Sequence, residues 1–283
     1  MAAAQNSRLV IYAALAGNAL VALSKFGAAA WTGSSAMLSE AIHSLVDTVN
    51  QLLMLYGLHR AAQPADAGHP LGYGRELYFW SFIVSLLIFS LGAGISLYEG
   101  IQHILRPEPV SDPHVNYLVL AASLVFEGAS WTVAIREFEK QRGGLSYLEA
   151  ATRSRDPTSF LVLFEDSAAV IGILIAATGT AAAEWLEMPV LDGVASVGIA
   201  LVLAATAAFL ARESKELLLG EPAREQVRTS MSAIVTGHPG VAEIGRMITV
   251  HLAPEQIVAA VDVDFVDDLR ASQIEQTALS LRV

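Results

Sequence analysis

The sequence predicts an α-helical membrane protein, with six transmembrane helices followed by a small cytoplasmic α+β domain. Three observations predict it. Hydrophobic residues make up 54% of the 283 positions and charged residues only 16%, where a soluble domain averages about 25% charged. Mean hydropathy is +0.49, and six apolar runs each approach the ~20 residues that a bilayer requires. From about Glu213 those runs give way to short segments in which apolar and polar residues alternate.

The expected spans are Leu9–Trp31, Ala36–Leu58, Leu77–Ile104, Val115–Ile135, Ser159–Ala181 and Val190–Ala211. The third has the length of a tilted helix. The fourth is interrupted by Glu127 and Gly128. Lys25 lies toward the outer end of the first span, where a lysine is expected to snorkel to the interface. The N-terminal segment has no cleavable signal pattern, because its apolar run is too long for one.

Lysine and arginine placement sets the orientation. Arg60 and Arg75 flank the loop after span two. Arg136, Lys140, Arg142, Arg153 and Arg155 crowd the loop after span four, and Arg212 and Lys215 follow span six. The opposite loops carry Arg106 alone, and 178–188 has neither residue. Both termini are therefore expected on the cytoplasmic side, in a plasma membrane (the bacterial inner membrane).

The transport domain is expected over 1–212 and the cytoplasmic domain over 213–283. Pro222 can begin a helix running to Gly237. Met247–Leu252 and Ile257–Val266 alternate as strands about a turn near Pro254, and Arg270–Val283 reads as a helix. A two-stranded hairpin is marginal alone, so this αββα unit needs its helices and a second copy of the chain.

Span two carries the most informative residues. His43 and Asp47 sit four apart, which places an imidazole and a carboxylate on one helical face. At 100° per residue, Glu40, His43, Asp47 and Asn50 fall within an arc of roughly 80°. Ionisable groups at mid-membrane cost roughly 2.5–3.5 kcal/mol each and mark ion or substrate paths. An interhelical hydrogen-bond seam would need the asparagine alone. Span five carries Glu165 and Asp166 in FLVLFEDSAAVIGIL. Adjacent acids in an apolar stretch need a shared proton or a cation between them. They point 100° apart, with Asp166 the first choice as a ligand and Glu165 a ligand or proton carrier.

Weaker candidates remain. Asp66 and His69, in DAGHPLGYG, are either metal-capable or a capped turn. Glu99 and Glu127 are acids within spans three and four. His251, Asp262 and Asp264 lie on the tail strands, where a solvated sheet face is the simpler reading.

Composition excludes several classes. With no cysteine, neither disulfides nor thiolate metal sites are possible. A formal net charge of −11 disfavours nucleic acid. No P-loop, GxSxG or dinucleotide fingerprint marks an enzyme. Glu40 and His43 form one ExxH, whereas a di-iron bundle needs two such pairs.

These residues resemble the cation diffusion facilitator family along nearly the whole chain. The resemblance rests on Asn18, on TGSSAMLSEAIHSLVDTVNQ, on DAGHPLGYGRELYFW, on Glu99-Gly100 and on FEDSAA. Within the family, the chain is most similar to the branch related to the mitochondrial zinc transporter of animals. The resemblance implies six transmembrane helices, a cytoplasmic ferredoxin-like domain and a homodimer that exchanges divalent metal, most often Zn²⁺, for protons. The implied site takes four side chains from spans two and five. His43, Asp47 and Asp166 match three of them, and Val162 stands where a histidine is usual. Water, Glu165, Glu40 or Asn50 is left as the fourth ligand. Asp66 and His69 match positions of a loop metal site in which Tyr73 replaces a histidine.

A more oxygen-rich site shifts preference from Zn²⁺ toward Mn²⁺, Fe²⁺ or Co²⁺. A non-transporting metal sensor on the same scaffold is the other alternative, and Val162 is its support.

Overall fold

The computed structural model describes residues 2–281, without the side chains of 2–14, Ala16 and Gln141. Its helices are α1 (Ala2–Thr32), α2 (Ser35–Ala61), α3 (Glu76–Leu87), α4 (Gly94–Leu105), α5 (Pro113–Arg142), α6 (Tyr147–Thr152), α7 (Pro157–Trp185), α8 (Val190–Leu219), α9 (Glu225–Thr236) and α10 (Ala271–Leu281). A π-helical segment, Ile88–Ala93, joins α3 to α4 without a break in direction of winding. Strands β1 (Val241–Ala253) and β2 (Gln256–Phe265) form an antiparallel pair.

Each expected span falls inside a long helix. Among the described residues, four helices are long and apolar enough to cross a membrane: Glu76–Leu105, Pro113–Lys140, Pro157–Trp185 and Val190–Leu219. α2 is as long but holds the polar stripe. Glu40, His43, Asp47 and Asn50 are buried, whereas Leu45, Val49 and Leu52 are 47%, 39% and 48% exposed. The helix thus turns its polar face inward and its apolar face outward, the reverse of a soluble helix.

Three expectations are corrected. α5 passes through Glu127 and Gly128 uninterrupted, since Glu127 finds a cation on a neighbouring helix. α8 continues past residue 212 to Leu219, so the change in character comes at Gly220, whose φ is +108°. The helix expected from Pro222 begins at Glu225 instead. Residues 221–223 lie along β1: the His251 amide donates to the Glu221 carbonyl and the Ala223 amide to Thr249 Oγ1, each at 3.0 Å.

The hairpin turns near Pro254 as expected, but β1 begins at Val241, six residues before the expected Met247; His251 stands opposite Ile257 and Val250 opposite Val258. Ile257, Val261, Val263 and Phe265 are half-buried, while Asp262 and Asp264 are exposed, as a solvated face requires. Two contacts seat the hairpin under the helices. Arg155 forms an ion pair with Glu221. Burial raises the Glu221 carboxyl above its ordinary range, with Arg155 opposing. The loop after α2 also meets the hairpin turn. A Cβ on Gly74 would lie 2.7 Å from the Leu252 carbonyl oxygen and 2.9 Å from the Ala253 Cβ. Gly74→Val is expected to push the hairpin off this loop and cost about 1–3 kcal/mol, read as a lower melting temperature in detergent. An unchanged melt would mean that the hairpin does not rest there.

Candidate metal centre

The start of α2 is fixed from outside the helix. Ser34 Oγ accepts from the Met37 amide at 3.1 Å and donates to Asp192 Oδ1 at 2.7 Å. The Ser35 and Ala36 amides donate to Asp192 Oδ2 at 2.6 and 3.2 Å. A carboxylate at a helix N-terminus satisfies orphan donors and meets the positive end of the dipole. Asp192 on α8 therefore sets the position of α2 along its axis.

Two turns in, His43 Nδ1 lies 3.3 Å from Asp47 Oδ1. The histidine is 1% exposed. Both its ring nitrogens and Asp47 Oδ1 are buried without a hydrogen-bond partner. Such orphaned groups are costly unless something coordinates them. From α7, Glu165 Oε1 accepts from Asn50 Nδ2 at 2.6 Å. Asp166 Oδ2 accepts from Ser130 Oγ of α5 at 2.9 Å.

Asp47, Glu165 and Asp166 line one cavity of about 20 Å³, together with Asn18, Ser44, Gln51, Glu127 and Val162. A single water needs roughly 10–15 Å³ of such space, so the cavity has the size of one water or one ion. Both acids of α7 border it, despite pointing 100° apart on the helix. His43 touches Asp47 but does not line the cavity. Among the described residues, no three histidine or acidic side chains are gathered closely enough to hold a metal. Two helices thus bring their candidates to one place without closing a ligand shell.

The other candidates fall elsewhere. Glu40 is held by Lys25, whose Nζ lies 3.0 Å from Glu40 Oε2 and donates to Ser44 Oγ at 2.8 Å. Lys25 is fully buried, so it does not snorkel: two acids on neighbouring helices give it a better site than the interface. Asp66 caps a turn. Its Oδ1 accepts from the Gly68 and His69 amides at 2.9 and 2.7 Å, and its Oδ2 accepts from Tyr73 Oη at 2.7 Å. The Tyr73 bond, then those from the backbone, hold Asp66 below the usual carboxylate range. Both its oxygens are occupied, and His69 Nδ1 stands 3.6 Å away in the open. Tyr73, where a histidine was usual, completes this turn. Glu99 is half-buried and borders no part of the cavity.

Sequence reasoning did not select Lys25, Ser44 or Gln51 for the site, nor Asn18 as a cavity residue. One signal was present: Asn18 and Lys25 are seven apart, hence on one face of α1.

Residues 11–219 match the family profile described as the cation efflux transmembrane domain. The chain belongs to the cation efflux family. Members of the cation efflux family are integral membrane transporters, and this chain's α1–α8 supply the matched domain. It is 36% identical over 258 residues to a protein of Xenopus laevis named proton-coupled zinc antiporter SLC30A9, mitochondrial, covering 90% of this chain and 46% of that one. It is 35% identical over 225 residues to metal tolerance protein C4 of Arabidopsis thaliana, covering 78% and 49% respectively. The chain thus spans about half the length of these two relatives. The cation-efflux pump FieF of Shigella flexneri is 27% identical over 286 residues, with 96% and 89% covered. In this cation efflux protein, carboxylates from α2, α5 and α7 border one cavity.

Proposed function

We propose that the protein exports a divalent cation, most readily Zn²⁺, in exchange for protons. The observation that carries this reading is the ion-sized cavity where Asp47 of α2 faces Glu165 and Asp166 of α7, beside an imidazole with no partner. Six helices cross the bilayer in this reading: α1, α2, the continuous α3–α4, α5, α7 and α8. The transport domain runs through the end of α8 at Leu219, and the chain from Gly220 forms a cytoplasmic domain, with both termini on the cytoplasmic side and two copies pairing. The relatives named as proton-coupled zinc antiporters support the choice of ion and coupling.

The chain's own residues would work as follows. Carboxylates and neutral imidazole bind metal only when deprotonated, so cation entry releases protons. Asp47, Glu165 and Asp166 supply oxygens, and His43 supplies a nitrogen after a small shift toward the cavity. Glu165 occupies the role left open by Val162, since it borders the same space. Asn50 orients Glu165 through its 2.6 Å bond, and Ser130 orients Asp166. Opening to the far side then exposes these groups to protons that displace the metal. Histidine suits that exchange because its pKa near 6.5 shifts easily across physiological pH.

The test is metal flux into proteoliposomes under an imposed pH gradient. His43→Ala and Asp47→Ala are each expected to reduce Zn²⁺ flux at least ~100-fold, since losing a ligand outright costs more than the roughly 10–100-fold of losing a residue that only supports one. Wild-type flux in both variants would sink the assignment. Val162 favours one second reading, a sensor that binds metal without moving it; metal binding with no flux in the wild-type protein would establish that reading.

A further inference from the structure

Lys25 is a buried cation placed beside the proposed cation path, and the transport reading has no role for it. Its Nζ lies 3.0 Å from Glu40 Oε2, 2.8 Å from Ser44 Oγ and 4.0 Å from Glu127 Oε1. These three partners come from α2 and α5, both packed on α1. Glu127 and Ser44 also line the cavity with Asp47, Glu165 and Asp166. The ammonium therefore stands immediately behind one wall of that cavity.

Charge counting makes the position consequential. Four carboxylates border the cavity: Asp47, Glu127, Glu165 and Asp166. Glu40 adds a fifth one layer behind. One divalent cation neutralises two. A site that gathered all five would hold a dication too firmly to release it, whereas transport needs binding weak enough to leave. Glu40 is fixed on Lys25. Its other oxygen fills the space left by the missing side chain of Gly172 on α7, so it is walled off from the cavity.

We propose that Lys25 is a charge-setting residue of the cation path: its ammonium withholds Glu40 and restrains Glu127, keeping both out of the ligand set. The claim rests on the transport reading and adds what tunes that site. With Lys25 in place, Glu127 faces a cation on one side and contributes little to the metal. Without it, Glu127 becomes free to join Asp47, Glu165 and Asp166. The metal is then bound more tightly and released more slowly.

The experiment is Zn²⁺ transport in proteoliposomes by Lys25→Met/Glu40→Gln, which removes both charges of the pair and leaves Glu127 as the acid released from Lys25. Its KM for Zn²⁺ is expected to fall about tenfold, the scale of coupling within one ion-pair network, with Vmax falling as release slows. Adding Glu127→Gln to that double variant is expected to bring KM back toward the wild-type value. Wild-type KM and Vmax in the double variant would reduce the pair to a structural one and overturn the proposal. So would a lowered KM that Glu127→Gln leaves unchanged. If the double variant does not fold, Lys25→Arg serves instead. It keeps the charge, so KM within about twofold of wild type is expected, and a tenfold fall would overturn the proposal. Loss of the transport reading shows separately, as wild-type flux in His43→Ala and Asp47→Ala.

Discussion

Lys25→Met alone is expected to destabilise the protein by about 3–5 kcal/mol, the cost of stranding one partner of a buried ion pair. The substitution leaves Glu40 fully buried with no cation, and one of its oxygens already lacks a partner. Water cannot readily reach it, because α7 closes over the carboxyl at Gly172. Ser44 loses its donor at the same time. Lys25→Met/Glu40→Gln is expected to regain most of the loss, since a neutral polar group replaces the uncompensated charge. Thermal unfolding in detergent reads both: a large fall in melting temperature for the single variant and a small one for the double. A single variant that melts like the wild type would mean that the pair does not hold α1 on α2. This stability effect is separate from the change in KM, which concerns the folded double variant.

Asp192→Ala is expected to have the next largest effect, about 3 kcal/mol. One carboxylate serves Ser34 Oγ and the amides of Ser35 and Ala36. All three donors are buried, and a methyl group satisfies none of them. Hydrogen bonds to a charged acceptor are also worth more than neutral ones. The first turn of α2 should fray, and the helix should lose its fixed height against α8. Amide exchange over residues 34–38 is expected to accelerate, and Zn²⁺ flux to fall as His43 and Asp47 lose register with α7. Asp192→Asn keeps one acceptor and should show a smaller effect. Unchanged exchange in Asp192→Ala would mean that Ser34 alone caps the helix.

Much of the candidate centre was legible in the sequence because it depends on spacing within one helix. Four residues put His43 on the face of Asp47, and the structure keeps them 3.3 Å apart. The acids at 165 and 166 were conspicuous because an apolar stretch tolerates no charge without cause. Glu40 shows where such reasoning stops. Its stripe covers an arc of roughly 80°, wide enough for one edge to face α1 while the other faces α7. Spacing could not distinguish the acid that meets a lysine from the acid that lines the cavity. Lys25 was misread for the same reason. Its distance from a helix end suggested snorkelling, whereas its partners lie on α2 and α5. Glu127 likewise suggested a break in α5, and a cation on a neighbouring helix stabilises it there instead.

The sequence by itself determined the class, the long helices, the αββα tail and the inward-facing polar stripe, because hydropathy and helical period are local properties of the chain. Only the tertiary structure decided which acid meets which cation, that α8 runs on to Leu219, and that Asp66 spends both oxygens on a turn. Those outcomes depend on how helices distant in sequence rotate and pack against one another. A buried charge takes the nearest compensating partner that packing brings within reach, and no single-helix pattern carries that distance.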